Sequence, residues 1–132
     1  MRFPGQSFFD DRRGYLYTAA VTLVALLPRL YVAIAWSKEP VWDGHYYHLG
    51  AERLAQGLGY SEDALVAGQV LWKPWVHYPV GYSFFLSLFY FVLGSGLLVA
   101  PILNAMIGAA LSGVSHRVAW HFTTPGDRKS VV

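Results

Sequence analysis

The sequence predicts an all-α integral membrane protein with about three transmembrane helices, on three observations. The chain of 132 residues is 55% hydrophobic and only 14% charged, whereas a soluble domain of ordinary composition carries roughly a quarter of its residues as charges. Two long uncharged or nearly uncharged tracts, Tyr15 to Trp36 and Val80 to Ser115, interrupt the polar regions. The aromatic share of 17% includes five Trp and nine Tyr, whose amphipathic rings settle where hydrocarbon meets water. A lipid bilayer is therefore the expected solvent.

Other classes fall away on the same composition. A formal charge of +2, with the bases gathered near the chain ends, does not form the basic groove with interleaved stacking rings that nucleic acid requires. No nucleic-acid partner is expected. The chain contains no Cys, which excludes disulfides, thiolate metal sites and cysteine nucleophiles.

The elements follow in order. Residues 1–14 form a polar, basic segment with Arg2, Arg12 and Arg13. Residues 15–36 are the first expected crossing, because about twenty apolar residues at roughly 1.5 Å each span a hydrocarbon core of about 30 Å. Arg29 lies toward the far end of this run. There it can snorkel to the interface or meet an anionic partner. A cleaved export signal is the alternative for the same stretch, since Ala33-Ile34-Ala35 offers a small-x-small site. Arg29, just before that site, argues against it.

Residues 37–78 form a polar loop with five acids, Glu39, Asp43, Glu52, Glu62 and Asp63, against three bases, Lys38, Arg53 and Lys73. Within the loop, Tyr47, Ala51, Leu54, Ala55 and Leu58 recur at helical spacing, while His48, Glu52, Arg53 and Gln56 fall on the other side. The pattern predicts an amphipathic helix from Gly44 to Gln56, lying on the membrane surface and ended by Gly57 and Gly59. Residues 79–96 and 97–120 are the second and third expected crossings, divided at Gly94-Ser95-Gly96. Gly108, Ala109, Ala110, Ser112 and Gly113 make a small-residue patch suited to close packing against other membrane helices. Residues 121–132 form a polar tail.

Positive charge before the first crossing places the N-terminus in the cytoplasm and the loop outside the plasma (inner) membrane. Three crossings then put Arg117, Arg128 and Lys129 outside as well, against the usual bias of basic residues toward the cytoplasm.

The residues able to carry chemistry lie at both ends of the loop. Two readings stand for Asp43 in Pro40-Val41-Trp42-Asp43-Gly44-His45-Tyr46-Tyr47. As a helix N-cap it accepts backbone N–H bonds. As a functional carboxylate at headgroup depth it takes a proton or binds a divalent cation. Asp43, His45 and His48 do not share one helical face, so a histidine metal set is disfavoured. In Lys73-Pro74-Trp75-Val76-His77-Tyr78-Pro79, Lys73 and His77 are suited either to a phosphate or to interfacial anchoring alongside Trp75 and Tyr78.

The order of a basic N-terminus, one apolar span, Asp-x-x-x-Tyr, Leu-Ala-Gln-Gly-Leu-Gly-Tyr and His-Tyr-Pro-Val-Gly-Tyr resembles the N-terminal part of GT-C superfamily glycosyltransferases. It is most similar to family 39, which contains protein O-mannosyltransferases and lipid A aminoarabinose transferases; the likeness runs over residues 26–113. The resemblance implies inverting transfer of a sugar from a polyprenyl-phosphate donor, with Asp43 catalytic. Tyr47, Lys73, His77, Tyr78 and Arg29 are the implied substrate contacts, and either His77 or Lys73 would steady the departing phosphate. The family's Asp-Glu-x-x-Tyr falls on Asp43, Gly44 and Tyr47, so the second acid is missing. A divalent metal is the one cofactor left open. As the first part of a larger enzyme the chain is expected to be inactive alone. The competing expectation is a small accessory protein that docks through the third helix.

Overall fold

The computed structural model describes residues 12–123; the expected N-terminal segment and polar tail lie mostly outside these residues. Four helices and one hairpin are present: α1 Arg12–Ala35, α2 Asp43–Ala55, β1 Ser61–Val66, β2 Gln69–Pro74, α3 Val80–Leu93 and α4 Val99–Thr123. The hairpin corrects the all-α expectation. Two helices, α1 and α4, are long and apolar enough to cross a membrane, while α3 is shorter. At 14 residues α3 extends only about 21 Å.

The chain divides into two units, one combining residues up to Val32 with those from Asn104 onward, the other being Ala33–Leu103. In the first unit α1 and α4 pack antiparallel. Thr18 Oγ1 lies 3.1 Å from His116 Nδ1, the Tyr17 and Trp120 rings are 5.3 Å apart, and the Arg117 guanidinium sits 4.3 Å from the centre of the Tyr15 ring. Further along, Thr22 meets Gly113 and Arg29 meets Gly108, so positions rise on one helix as they fall on the other. Small residues permit the approach: Ala105 and Ala109 are buried. Within the small-residue patch expected to seek a foreign helix, Gly108 and Gly113 thus meet α1 of the same chain, while Ala110 stays exposed.

The second unit is built on α2 and α3, which run parallel. Ser83 Oγ donates to the Tyr47 carbonyl at 3.1 Å, His48 Nδ1 lies 2.7 Å from the Tyr90 hydroxyl, and Ser95 Oγ donates to Glu52 Oε1 at 2.8 Å. Ala51, Leu86 and Tyr90 form the core between the two helices. Gly50 is required here: a Cβ would come within 3.0 Å of Ser83 Oγ and collide with the Tyr60 ring.

The helix that sequence pattern places on the membrane surface therefore uses part of its polar side inward. His48 reaches α3, Glu52 reaches Ser95 just beyond its end, and Arg53 turns to the hairpin. Arg53 is buried; it forks onto Asp63 at 2.9 and 3.0 Å and donates through Nε to Ser61 Oγ at 3.0 Å. The geometry is the bidentate guanidinium–carboxylate pair. α2 ends as expected, with Gly57 at φ +76°, the Gly57 N–H on the Leu54 carbonyl and the Leu58 N–H on the Arg53 carbonyl, a Schellman closure.

β1 and β2 pair antiparallel through Leu65↔Val70 and Val66↔Gln69. Ala67 and Gly68 join them with φ of 51° and 79°, both positive as a tight two-residue hairpin turn requires. Alanine is an unusual choice at the first of these positions, and Asn-Gly or Asp-Gly would have been the readable signal.

Candidate functional site

α2 starts at Asp43, and the residue that caps it is Trp42, which makes no side-chain capping bond. Trp42 has φ 53° and ψ −130°, a backbone region that side-chain-bearing residues rarely occupy. The sharp turn delivers Asp43 into the first turn of α2, where the helix dipole favours a negative charge. The cap reading of Asp43 does not describe its contact. Its Oδ1 instead accepts the Tyr78 hydroxyl proton at 2.8 Å, across 35 positions of sequence. That bond joins the two polar stretches at the ends of the loop.

Its geometry follows from the parallel helices. Asp43 opens α2, and Tyr78 stands just before Pro79, the N-cap of α3, so parallel packing sets the two helix starts side by side. Around the pair lies an aromatic cluster. Tyr46 stacks on Tyr78 with centroids 4.9 Å apart and meets Trp75 edge-on at 5.2 Å. Tyr47, one turn beyond Asp43, meets Tyr78 at 5.6 Å and Tyr82 at 5.3 Å. Trp75 is buried and stacks with Tyr60, whose hydroxyl donates to the Tyr78 carbonyl at 3.2 Å. The Asp43 carboxylate itself is exposed. Its hydrogen bond, then partial desolvation of the phenol and after that the Asp43 charge, raise the Tyr78 pKa above the ordinary value of 10.0, because burial and an anion beside the phenol both disfavour phenolate. Tyr78 therefore stays a proton donor throughout the physiological range.

Compared with family models, curated proteins and solved structures, the chain finds no match.

The structure gathers some of the expected site residues and separates others. Asp43, Tyr47 and Tyr78 come together. His77 adjoins Tyr78 in the chain, is exposed, and makes no hydrogen bond or ion pair among the described residues. Lys73 pairs across the hairpin with Glu62 at 3.6 Å and makes no contact with Asp43. The pair is exposed and so weak. Arg29 belongs to the other unit, where its NH1 donates to the Ala25 carbonyl of its own helix at 2.7 Å.

Sequence reasoning gave Tyr46 and Tyr60 no role and read Trp75 only as an interfacial anchor. Tyr46 stands at helical spacing from Asp43, a signal available in the sequence; Tyr60 and Trp75 are brought in by the hairpin, which was not. A cation fits the site poorly. One carboxylate with a phenol on it, and glycine where a second acid would stand, is a thin oxygen set for magnesium or calcium. Among the described residues no three His, Asp or Glu side chains cluster as metal ligands, and His48 is engaged by Tyr90.

At the other end of α2, roughly 13 Å along its axis, an open cavity of about 380 Å³ is lined by Glu52, Gln56, Tyr90 and Ser95 among others.

Proposed function

We propose that this chain is the N-terminal membrane segment of a glycosyltransferase that moves a sugar from a polyprenyl-phosphate donor to an acceptor at the outer face of the plasma membrane. The observation that supports it best is the Tyr78–Asp43 hydrogen bond of 2.8 Å. It places a carboxylate, its orienting phenol and an aromatic wall where the two family-like motifs meet.

In the proposed reaction the acceptor hydroxyl attacks the anomeric carbon from the face opposite the phosphate. The new carbon–oxygen bond forms as the carbon–phosphate oxygen bond breaks. Asp43 takes the acceptor's proton, and the bonding electrons leave with the polyprenyl phosphate. Tyr78 holds the carboxylate toward the attacking oxygen, and His77 lends a donor to the departing phosphate. Tyr46, Tyr47 and Tyr82 offer ring faces to the sugar or to the first isoprene units. Lys73, tied to Glu62, is the poorer candidate for the phosphate.

The antiparallel α1/α4 pair bears on the topology. Three crossings would make these helices parallel. Two crossings return the chain to its starting side, so Arg12, Arg13 and Arg117 share the cytoplasmic end, the loop side of both helices is external, and the basic tail no longer offends the charge bias. In this reading α3 is a helix of the external segment, at the membrane boundary. The accessory-protein alternative draws less support, since Gly108 and Gly113 already meet α1.

The test is transfer of labelled sugar from a polyprenyl-phosphate donor by membranes carrying the full gene product. Asp43→Asn is expected to lower transfer by about 10²–10⁴-fold, the usual worth of a general base, with membrane insertion unchanged. Undiminished transfer by the inserted variant would sink the assignment.

A further inference from the structure

The hairpin carries a feature that the proposed chemistry does not use. From Ala64 to Trp72 there is no charged residue, and Leu65, Val66, Val70, Leu71 and Trp72 are all exposed, Leu65 at 75% and Val70 at 66%. In an ordinary half-buried hairpin apolar side chains gather on the face that meets a core, and the other face is polar. Apart from Gln69 beside the turn, this tip is apolar on both faces. The register pairs Leu65 with Val70, and the next pair, Ala64 with Leu71, points to the opposite side, because successive residues of a strand alternate.

The charges stand where the apolar tip ends. At the base Arg53 holds Asp63 at 2.9 Å and Lys73 faces Glu62 at 3.6 Å. Trp72 stands opposite Asp63, at the edge of this charged base nearest the tip, and its indole donates to the Leu58 carbonyl at 3.0 Å. Along the hairpin an apolar end gives way to an amphipathic ring level with the first of the paired charges, as acyl chains give way to headgroups and water.

We infer that the tip of the β1–β2 hairpin inserts into the lipid surface, burying Leu65, Val66, Val70 and Leu71 among the upper acyl chains with Trp72 at headgroup depth. The occupant of this apolar surface is the bilayer that α1 and α4 are long and apolar enough to cross. A protein groove would have to enclose both faces of the tip at once, whereas lipid surrounds an inserted tip without a shaped partner. Only the two-residue turn and the last strand pairs enter, so few backbone groups leave water, and those facing across the hairpin are bonded to each other. The inference stands whether or not the protein transfers sugar, and it rests only on the membrane reading.

The absence of cysteine allows clean labelling. Leu65→Cys and Val70→Cys report the tip, Glu62→Cys the base and Leu23→Cys the α1 helix. Each single-cysteine variant of this 132-residue chain is labelled with nitrobenzoxadiazole and reconstituted in phosphatidylcholine vesicles. The two tip labels should emit blue-shifted and be quenched several-fold more strongly than the base label by lipids brominated near the top of the acyl chain. Tip labels that emit as in water and respond to iodide like the base label, while the Leu23→Cys label is lipid-quenched, would overturn the inference and leave the membrane reading intact. Tip labels shielded from both quenchers would overturn it in favour of a protein partner. Water exposure at Leu23→Cys as well would remove the membrane reading and the inference with it.

Discussion

Gly108 and Gly113 both approach side chains of α1, yet adding one methyl group at each should have different consequences. At Gly113 the new Cβ would collide with Thr22 Oγ1, stand 3.5 Å from Thr22 Cβ and stand 3.6 Å from Thr18 Cγ2. Thr22 is β-branched, and its hydroxyl already donates to the Thr18 carbonyl at 2.9 Å. Relief means rotating Thr22, which forfeits a hydrogen bond worth about 0.5–1.5 kcal/mol, or parting the helices, where overpacking typically costs about 1–3 kcal/mol. The helix-propensity gain of alanine over glycine, up to about 1 kcal/mol, offsets part of this. Gly113→Ala should therefore lose about 1–2 kcal/mol. At Gly108 the new Cβ meets Arg29 Nε at 3.0 Å and Cδ at 3.4 Å, the far part of a flexible, exposed side chain that can swing away. Gly108→Ala should fall between neutral and about 1 kcal/mol stabilising. A difference of 1–2 kcal/mol is a factor of roughly 5–30 in the folded-to-unfolded ratio, readable by unfolding the reconstituted protein with increasing sodium dodecyl sulfate. The same contact supplies a second readout. A Cβ separation of 3.5 Å between positions 22 and 113 suits a disulfide, whose Cβ atoms lie about 3.5–4.5 Å apart, so Thr22→Cys with Gly113→Cys should oxidise readily in membranes. If Gly108→Ala proves the more damaging variant, or the paired thiols stay reduced, the antiparallel packing of α1 on α4 is wrong.

Two further outcomes concern the segment between α1 and α4. Arg53→Ala removes the bridge from α2 to the hairpin and leaves Asp63 without its partner; because the Asp63 side chain is 54% exposed, the loss should be about 1–3 kcal/mol, below that for a fully buried pair. Hydrogen exchange of the β1 and β2 amides should quicken accordingly, while Lys73→Ala, which breaks only an exposed pair, should leave it nearly unchanged. Tyr78, whose folded pKa is raised by Asp43, contributes its hydrogen bond fully below the ordinary tyrosine value of 10.0 and loses it as pH rises through the higher folded value. In carbon-13 tyrosine spectra the resonance absent from Tyr78→Phe should titrate later than that of a free tyrosine, and Asp43→Asn should bring it back down. An unaltered Tyr78 titration in Asp43→Asn would contradict the hydrogen bond.

The two long helices were readable because their signal is local: more than twenty residues of sustained apolarity need no knowledge of what they pack against. So was the end of α2, since Gly57 at a positive φ is a property of one residue and its neighbours. The hairpin was not. Its turn is Ala-Gly, its strands lack an alternating polar face, and its apolar residues therefore gave neither the strand period nor the usual turn residues. α2 illustrates a different limit. Its periodicity predicted a helix, but a polar side chain on a helical wheel carries no label saying whether it faces water or a bonding partner, and His48, Glu52 and Arg53 all found partners on other elements.

For the candidate site the division falls between residues and pairs. Asp43, Tyr47, His77 and Tyr78 stand out as polar or amphipathic groups at expected membrane boundaries, which is information held in the sequence. The choice between capping and functional roles for Asp43 depends on what meets its carboxylate, and that partner lies 35 positions away. It is reached only because α2 and α3 run parallel: the chain climbs back along α2 on either side of the hairpin, with Tyr60 against Gly50 and Trp75 against Tyr46. An antiparallel α2/α3 pair joined by a plain loop would have set Asp43 beside the far end of α3, near Leu93 and Gly94, leaving Tyr78 without the carboxylate. The Tyr78–Asp43 bond thus depends on the segments flanking the undetected hairpin, whose strand ends Ser61 and Pro74 pair with each other.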